Sequence, residues 1–189
     1  MDLETHYFPT AGEWRRWLDA NAGKSRGIYL IFYTVAHEKT SMRWEEAVRE
    51  ALCFGWIDST VKSLGSGKRR QYFCPRKPGS VWSKVNKQHV RELMQEGRMR
   101  PGGLAVIEAA KKDGSWSALD DVENGVVPAD LREAFELHPE AREFFEEIAR
   151  TYRKSYLYWL FQAKREATRN RRIKEIIRLL KAGKKTRSE

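Results

Sequence analysis

The chain has 189 residues, of which 41% are hydrophobic and 12% aromatic, and 36 basic against 26 acidic residues give a formal net charge of +10. This apolar and aromatic content excludes a chain that remains disordered, and the length suits one domain, or one domain with a small appendage. The longest apolar run, Ile28 to Ala36, is about half the length of a membrane-spanning helix, so we expect no membrane span.

The first predicted elements alternate between helix and strand. Apolar residues at helical spacing predict a helix that begins at Thr10. The run Ile28–Val35 is β-branched and aromatic without polar alternation, which predicts a central strand covered on both faces. A second helix follows, for which Thr40 or Ser41 is the expected N-cap and Gly55 the C-terminal stop.

A β-hairpin and two further helices are predicted next. Trp56–Ser63 alternates like a half-exposed strand, and Arg69–Cys74 returns after a glycine-rich turn. The prolines that follow end this strand because they cannot donate to a ladder. Ser80 is the expected N-cap of the next helix, which ends at Gly97, and a short helix begins after Pro101.

The remaining sequence has a helical pattern. Residues 118–129 contain an Asn-Gly pair and a proline and predict a linker. Beyond this linker we predict three helices, over Ala129–Phe135, Glu140–Arg150 and Lys154 to about Ala182. Residues 184–189 form a polar tail.

These elements together predict an α+β fold. We expect a small antiparallel sheet of about three strands, packed with helices and followed by an all-helical C-terminal unit. The predicted boundaries are 1–117 for an α+β core domain, 118–129 for the linker, 130–183 for the helical C-terminal domain and 184–189 for the tail.

Several stretches resemble a known family. Ala51–Ser59, Pro75–Asn86 and Gly97–Met99 are similar to segments of the YdeI / OmpD-associated family, whose name also carries the label bacteriocin-protection. Ala163–Ile173 resembles the tail domain of that family, so the resemblance extends over roughly residues 10–182. It implies an association with bacterial stress and tolerance of antimicrobial peptides, and a first domain of the compact α+β YjbR/CyaY type. It implies no catalytic mechanism.

One group of side chains predicts a pocket for a small anion. The hairpin brings the start of its first strand, with Asp58, close to Arg76 just beyond its second strand. Ser80 and the amides after it would form a helix N-terminus, which favours a carboxylate or a phosphate. The candidate pocket residues are Trp56, Asp58, Arg76, Lys77, Ser80, Trp82, Ser83 and Asn86.

A structural interpretation of the same residues stays open. In that interpretation Asp58 and Arg76 form an ion pair, and Ser80 only caps a helix. Trp56 and Trp82 are then residues of the hydrophobic core. The two interpretations differ in whether Arg76 faces a cavity or a packed interior.

The sequence contains no combination of residues typical of a known catalytic site. Ser59 and Ser83 lack an adjacent base, and His89 lies on the apolar face of its predicted helix. Cys53 and Cys74 show no metal-ligand spacing, and we expect both to be reduced thiols. We therefore expect neither a metal nor a cofactor, and we favour binding over catalysis.

The net charge is distributed unevenly along the chain. Residues 1–119 carry +7, residues 120–149 carry −8 and residues 150–189 carry +11. The basic C-terminal helix would bind nucleic acid or anionic lipid, or else dock on the acidic block. The candidate polyanion surface consists of Lys164, Arg165, Arg169, Arg171 and Arg172.

These observations lead to three hypotheses about function. The first is a bacterial stress or antimicrobial-peptide resistance protein that binds a small anionic ligand or a protein partner. Because the first residues lack the pattern of a signal peptide, we expect it in the cytoplasm. The second is a nucleic-acid or polyanion binder that uses the basic helix. The third is an enzyme that acts on a small anionic substrate at Arg76.

Overall fold

The computed structural model describes residues 4–187 of the chain. The backbone contacts divide the chain into a first unit, Met1–Ser117, and a second unit, Ala118–Glu189. Among the described residues, all strands lie in the first unit and the second unit is helical. This distribution confirms the predicted α+β class with a helical C-terminal unit.

The first unit combines strands and helices in alternation. Its strands are β1 (Thr5–Tyr7), β2 (Ile28–Tyr33), β3 (Trp56–Gly65) and β4 (Lys68–Pro75). Its helices are α1 (Ala11–Asn21), α2 (Trp44–Cys53), α3 (Lys84–Gln95) and α4 (Pro101–Lys112).

The four strands form one sheet in the order β1-β2-β4-β3. β2, β4 and β3 pair antiparallel as predicted, whereas β1 pairs parallel with β2, from Thr5 opposite Tyr29 to Tyr7 opposite Ile31. The small antiparallel sheet of about three strands is therefore present as predicted, and β1 adds a parallel strand that was not predicted. A strand of three residues is too short to show a period-2 pattern, so the sequence does not reveal it.

The hydrophobic core of the first unit lies on one face of this sheet. Ile28, Leu30 and Phe73 are fully buried there, in one cluster with Trp14 of α1. The Trp14 indole donates a hydrogen bond to the Ala47 carbonyl over 3.1 Å, which ties α1 to α2. The two helices therefore cover the sheet as one layer.

The other face of β2 is only half-buried. Tyr29 and Tyr33 alternate with the core residues and remain partly exposed. The Arg70 guanidinium lies 4.5 Å from the centroid of the Tyr29 ring, a cation–π contact that covers part of this face. Ile31 lies on the same face and is buried, so the prediction that β2 is covered on both faces holds at Ile31 and fails at the two tyrosines.

Helix α2 begins later than its predicted N-cap at Thr40 or Ser41. Its N-cap is Arg43, whose amide donates to a Glu46 carboxylate oxygen over 2.6 Å. The Ser41 hydroxyl accepts a hydrogen bond from the Tyr33 amide instead, so this side chain closes the connection from β2.

Helix α3 also begins later than predicted, and this shift bears on the candidate pocket. Its N-cap is Ser83, whose hydroxyl accepts from the Asn86 amide over 3.2 Å. The predicted cap, Ser80, lies in a tight turn, where its amide donates to the Lys77 carbonyl over 3.1 Å. Ser80 is therefore a turn residue, and the helix N-terminus lies three residues further on.

The second unit consists of α5 (Asp120–Asn124), α6 (Ala129–Glu136), α7 (Pro139–Glu147), α8 (Arg150–Phe161) and α9 (Glu166–Lys181). The predicted linker over 118–129 therefore contains a short helix, α5. Its Val122 is buried, which a linker does not require. Val122 is one apolar residue among acidic neighbours, and such a short helix has no periodic pattern.

The long helix predicted from Lys154 to Ala182 is two helices, α8 and α9, and the prediction of one is wrong. The break has no glycine or proline to announce it. The Arg172 guanidinium of α9 donates to the Trp159 carbonyl, and the Arg169 guanidinium donates to the Leu160 carbonyl over 3.4 Å. These side chains satisfy carbonyls at the end of α8 that a continuous helix would pair internally.

The predicted polar tail, 184–189, is described as far as residue 187, and residues 188–189 lie outside the described part. The Lys184 carbonyl accepts a hydrogen bond from the Tyr156 hydroxyl over 3.0 Å, which ties the start of the tail to α8. Within residues 4–187, none of the helices has the length and apolar character needed to span a membrane.

Candidate functional site

The exit of β4 is held against the end of α2. The Arg76 amide donates to the Gly55 carbonyl over 2.9 Å. Gly55 has a φ of +77°, and a Cβ at this position would lie 2.8 Å from Val106 of α4 and 3.1 Å from the Gly102 carbonyl. A glycine is therefore needed here, both for its backbone conformation and for the close approach of α4.

The Arg76 side chain is buried at this junction. The residue is 8% exposed, and its guanidinium carbon lies 3.7 Å above the centroid of the Trp82 ring. One terminal nitrogen donates to the Val81 carbonyl over 3.3 Å, whereas the buried Nε has no hydrogen-bond partner. Burial lowers the pKa of Arg76 to about 10, so the guanidinium keeps its charge at neutral pH.

A cavity of about 70 Å³ lies beside this guanidinium. Its wall is formed by the turn after β4, by α4 and by the segment that follows α4. The lining residues are Arg76, Lys77, Pro78, Gly79, Ser80, Trp82, Val106, Ala109, Ala110, Asp113 and Ser115. The volume has room for a few water molecules or one small oxyanion, at about 30 Å³ for each water.

The polar groups of this cavity differ in whether they already have partners. The Arg76 Nε has no hydrogen-bond partner among the described residues, whereas Ser115 hydrogen-bonds to Asp113 and thereby lowers the pKa of that carboxyl group. The Asp113 carboxylate accepts from the Gly79 amide over 3.1 Å and from the Ser115 amide over 2.9 Å. The cavity thus contains one buried cation with unused hydrogen-bonding capacity, and its acidic residue already has partners.

The structure brings half of the predicted pocket residues together. Arg76, Lys77, Ser80 and Trp82 line the cavity, and Trp56, Asp58, Ser83 and Asn86 do not. The anion-binding role of these residues remains a prediction. The predicted contribution of a helix N-terminus at Ser80 is wrong, because that residue lies in the turn before α3.

Asp58 has a different role from the one predicted. Its carboxylate accepts hydrogen bonds from the Trp44 indole over 2.9 Å and from the side-chain amide of Gln71. Among the described residues it makes no ion pair with Arg76, so the structural alternative of an Asp58–Arg76 pair is also wrong. Asp58 and Phe73 lie opposite each other in the sheet, so Asp58 lies on the same face as the core residue Phe73.

Two other predicted residues have structural roles. Trp56 is buried, and its indole donates to the Ala22 carbonyl over 3.2 Å. Its ring packs edge-on against Trp14, with centroids 6.3 Å apart, which makes it a core residue. Ser83 caps α3, as described above.

Sequence reasoning missed the part of the cavity that α4 and its C-terminus supply. Val106, Ala109 and Ala110 are separated from Arg76 by some thirty residues, and small apolar residues on a helix carry no signal of a cavity. Asp113 and Ser115 flank a glycine in a turn, which in the sequence marks only the end of a helix.

The other candidate reactive groups of the first unit, two thiols and one imidazole, are at least partly buried. Cys53 is fully buried and Cys74 partly buried, both are free thiols, and burial raises the pKa of each. The His89 ring lies 3.3 Å from the Arg49 guanidinium and is nearly buried, as expected for a core histidine. Among residues 4–187, no group of three or more His, Cys, Asp or Glu side chains is arranged to hold a metal ion.

The basic C-terminal segment is partly docked on acidic residues of the same unit. Arg169 makes a two-pronged ion pair with Asp130, with 2.9 Å between one pair of atoms. Lys181 pairs with Glu140 over 2.8 Å. Among the described residues, Lys164, Arg165 and Arg171 are exposed and make no ion pair. The docking hypothesis therefore holds for part of this segment only.

Two family models match the chain. The one described as Domain of unknown function (DUF8412) matches residues 6–106, and the one described as Bacteriocin-protection, YdeI or OmpD-Associated matches residues 124–183. The second match confirms the resemblance of Ala163–Ile173, whereas Ala51–Ser59 and Pro75–Asn86 lie within the first match. No curated protein and no solved structure matches the chain.

Proposed function

Because the chain belongs to the family of the domain of unknown function (DUF8412) and carries a bacteriocin-protection, YdeI or OmpD-associated domain, we propose that it contributes to bacteriocin protection by binding a small oxyanion. The proposed ligand is a phosphate or a carboxylate in the cavity beside Arg76. The observation that carries this proposal is a buried guanidinium with an unpaired Nε and no ion-pair partner among the described residues.

The burial of Arg76 supports an anionic occupant on energetic grounds. An ion that leaves water without a partner costs several kcal/mol, and buried charges in proteins are normally paired. The Trp82 ring offsets part of this cost through a cation–π contact, on the order of 2 kcal/mol when it is desolvated. The Asp58 charge acts on Arg76 from beyond ion-pair distance and raises its pKa, and an oxyanion in the adjacent cavity would supply a direct counter-charge and an acceptor for Nε.

The charges around the cavity support a ligand with a single negative charge. Arg76 and Lys77 contribute two positive charges, and Asp113 contributes one negative charge whose oxygens accept backbone amides. The lining therefore has a formal charge of +1.

Binding suits this geometry better than catalysis. A general acid or base works best with a pKa near the working pH, whereas the pKa of Arg76 is about 10. Its guanidinium would remain a fixed cation throughout, which favours recognition of an anion. The cavity volume also limits the ligand to a small ion or to one anionic group of a larger molecule.

The direct test compares Arg76→Met with the wild type in thermal unfolding over a series of phosphate, sulfate and acetate concentrations. We expect the anion to stabilise the wild type by about 2.7 kcal/mol at a concentration of 100 times Kd. Arg76→Met should lose this dependence, yet it should stay folded without the anion because it removes a buried charge that makes no ion pair among the described residues. Arg91→Met, on the exposed face of α3, is the matched control.

Two outcomes would contradict the proposal. One is a wild-type protein whose unfolding temperature does not change when phosphate, sulfate or acetate is added up to tens of millimolar. The other is an Arg76→Met variant that keeps the full anion dependence. The link to bacteriocin protection is tested by returning wild type or Arg76→Met to bacterial cells that lack the protein and comparing survival under bacteriocin.

A further inference from the structure

A second and larger cavity lies in the first unit, away from Arg76. Its volume is about 670 Å³, within the range of pockets that hold small molecules. Its walls are the end of β2, the β3–β4 hairpin and residues 34–44, which lead into α2. We call this cavity the hairpin groove.

The floor of the hairpin groove continues the core face of the sheet. Phe32 of β2 lies opposite Arg69 of β4, which in turn lies opposite Ser63 of β3. Residues directly opposite each other in neighbouring strands point to the same face of the sheet. Arg69 and Phe73 lie four positions apart in β4 and therefore also share a face. Phe32, Arg69 and Ser63 thus lie on the core side of the sheet. Val61, in the next row, is more than half exposed.

One wall of the groove is an aromatic side chain in a fixed orientation. Trp44, at the start of α2, is 43% exposed, although large apolar side chains are normally buried. Its indole nitrogen donates to Asp58 over 2.9 Å, and Asp58 is held in turn by the Gln71 amide. The indole ring is therefore ordered before any ligand arrives, which lowers the entropic cost of binding.

The charged residues of the lining are all positive, and no acidic residue is among the described residues that form it. Arg43, Lys68 and Arg69 line the groove, and within residues 4–187 none of the three makes an ion pair. Other arginines of the same unit do have carboxylate partners, for example Arg15 with Glu50 over 2.7 Å. A cleft lined by charges of one sign raises the local concentration of opposite charge.

We propose that the hairpin groove binds a planar aromatic ring that carries an anionic group, the chemistry of a nucleoside monophosphate. The ring would stack on Trp44, and the phosphate would lie at Arg69. Aromatic rings and cations in one groove suit bases and phosphates together, and the volume exceeds that of the phosphate alone. This site is independent of the Arg76 cavity.

The experiment is isothermal titration of the full chain with AMP, adenosine and inorganic phosphate. We expect AMP to bind, and adenosine to bind at least tenfold more weakly because it lacks the charged group. Trp44→Leu should weaken AMP binding fivefold or more by removing the stacking surface. Arg69→Gln, at an exposed position, should weaken it about tenfold.

Matched variants separate this site from other cations of the protein. Lys62→Gln removes a charge from the same hairpin, but Lys62 lies opposite Arg70 and faces the other side of the sheet. We expect it to leave AMP binding within twofold of the wild type, and Arg91→Met, on the exposed face of α3, likewise.

The proposal is overturned if AMP, GMP and UMP all fail to bind the folded wild type at millimolar concentration. It is also overturned if Arg69→Gln binds AMP as the wild type does, or if AMP binding depends on Arg76 and not on Arg69. Since Arg69 is exposed, Arg69→Gln remains decisive even if Trp44→Leu does not fold.

Discussion

Replacing Gly103 by alanine should separate α4 from α2. A Cβ at Gly103 would lie 2.3 Å from the Cys53 carbonyl oxygen and 2.8 Å from the carbonyl carbon, which is too close for any side-chain atom. The obstacle is backbone, so it cannot rotate away and α4 must shift as a whole. Such overpacking costs about 1–3 kcal/mol, and the short distance puts this site at the upper end.

The neighbouring glycine provides the control for this prediction. At Gly102 the nearest atom to a new Cβ is the Phe54 carbonyl oxygen, at 3.5 Å, an ordinary contact. Both positions lie in the first turn of α4, so alanine gains up to about 1 kcal/mol of helix propensity at each. Gly102→Ala should therefore be neutral or slightly stabilising, and Gly103→Ala should destabilise by about 1–2 kcal/mol after the same gain.

Urea unfolding followed by tryptophan fluorescence measures this difference. The Gly103→Ala midpoint should fall while the Gly102→Ala midpoint stays or rises. Because Val106 and Ala110 of α4 line the Arg76 cavity, Gly103→Ala should also weaken the stabilisation by phosphate. Equal midpoints for the two variants would refute the reasoning, since they would show that the packing of α4 on α2 tolerates a methyl group.

Three further predictions concern caps, charge and thiols. Ser83→Ala should lower stability by about 1 kcal/mol because it removes the N-cap of α3, while Ser80→Ala should have little effect in the same urea assay. The Arg169 hydrogen bond lowers the pKa of Asp130, so this pair should stabilise the second unit above about pH 4 and lose that contribution as the pH falls through the lowered pKa. Circular dichroism should show this loss of stability at acid pH in the wild type and not in Asp130→Asn. The loss should be small because the Arg169 and Asp130 side chains are partly exposed. The Cys53 thiol, buried and with a raised pKa, should react with a thiol reagent only at the rate of unfolding.

Hydrophobic periodicity was enough to predict the longer elements of this fold. The spacing around Trp14 predicts α1, and the unbroken apolar run after Gly27 predicts β2, since each pattern extends over two turns or a whole strand. Neither β1 nor α5 has enough residues for such a pattern. The break between α8 and α9 depends on Arg169 and Arg172, which reach back from the following helix, and local spacing does not record such contacts.

The candidate site shows the same limit at the level of single side chains. The pairing of Trp56 with Pro75 places the two strand ends together, so the sequence located Arg76 near the start of β3. The sequence did not show to which face of the sheet the Asp58 side chain points, because alternation along a strand assigns a face only once the register is known. The cavity itself depends on α4, whose approach requires glycine at Gly55 and Gly103. That these two positions leave no room for a side chain can be recognised only from the packing of the folded protein.

The net charge of +10 can now be divided into cations that are already paired and cations that are available. In the candidate polyanion surface, Arg169 is paired with Asp130, and Arg172 donates to the Trp159 carbonyl and lies 5.0 Å from the centroid of the Trp159 ring. Lys164, Arg165 and Arg171 remain, so duplex DNA could engage about three of these cations. A plot of the logarithm of the DNA-binding constant against the logarithm of the salt concentration should then have a slope of about −2.7, far shallower than the net charge suggests. A steeper slope would place the contacts outside this surface, and the unpaired cations of the hairpin groove would then be the first place to look.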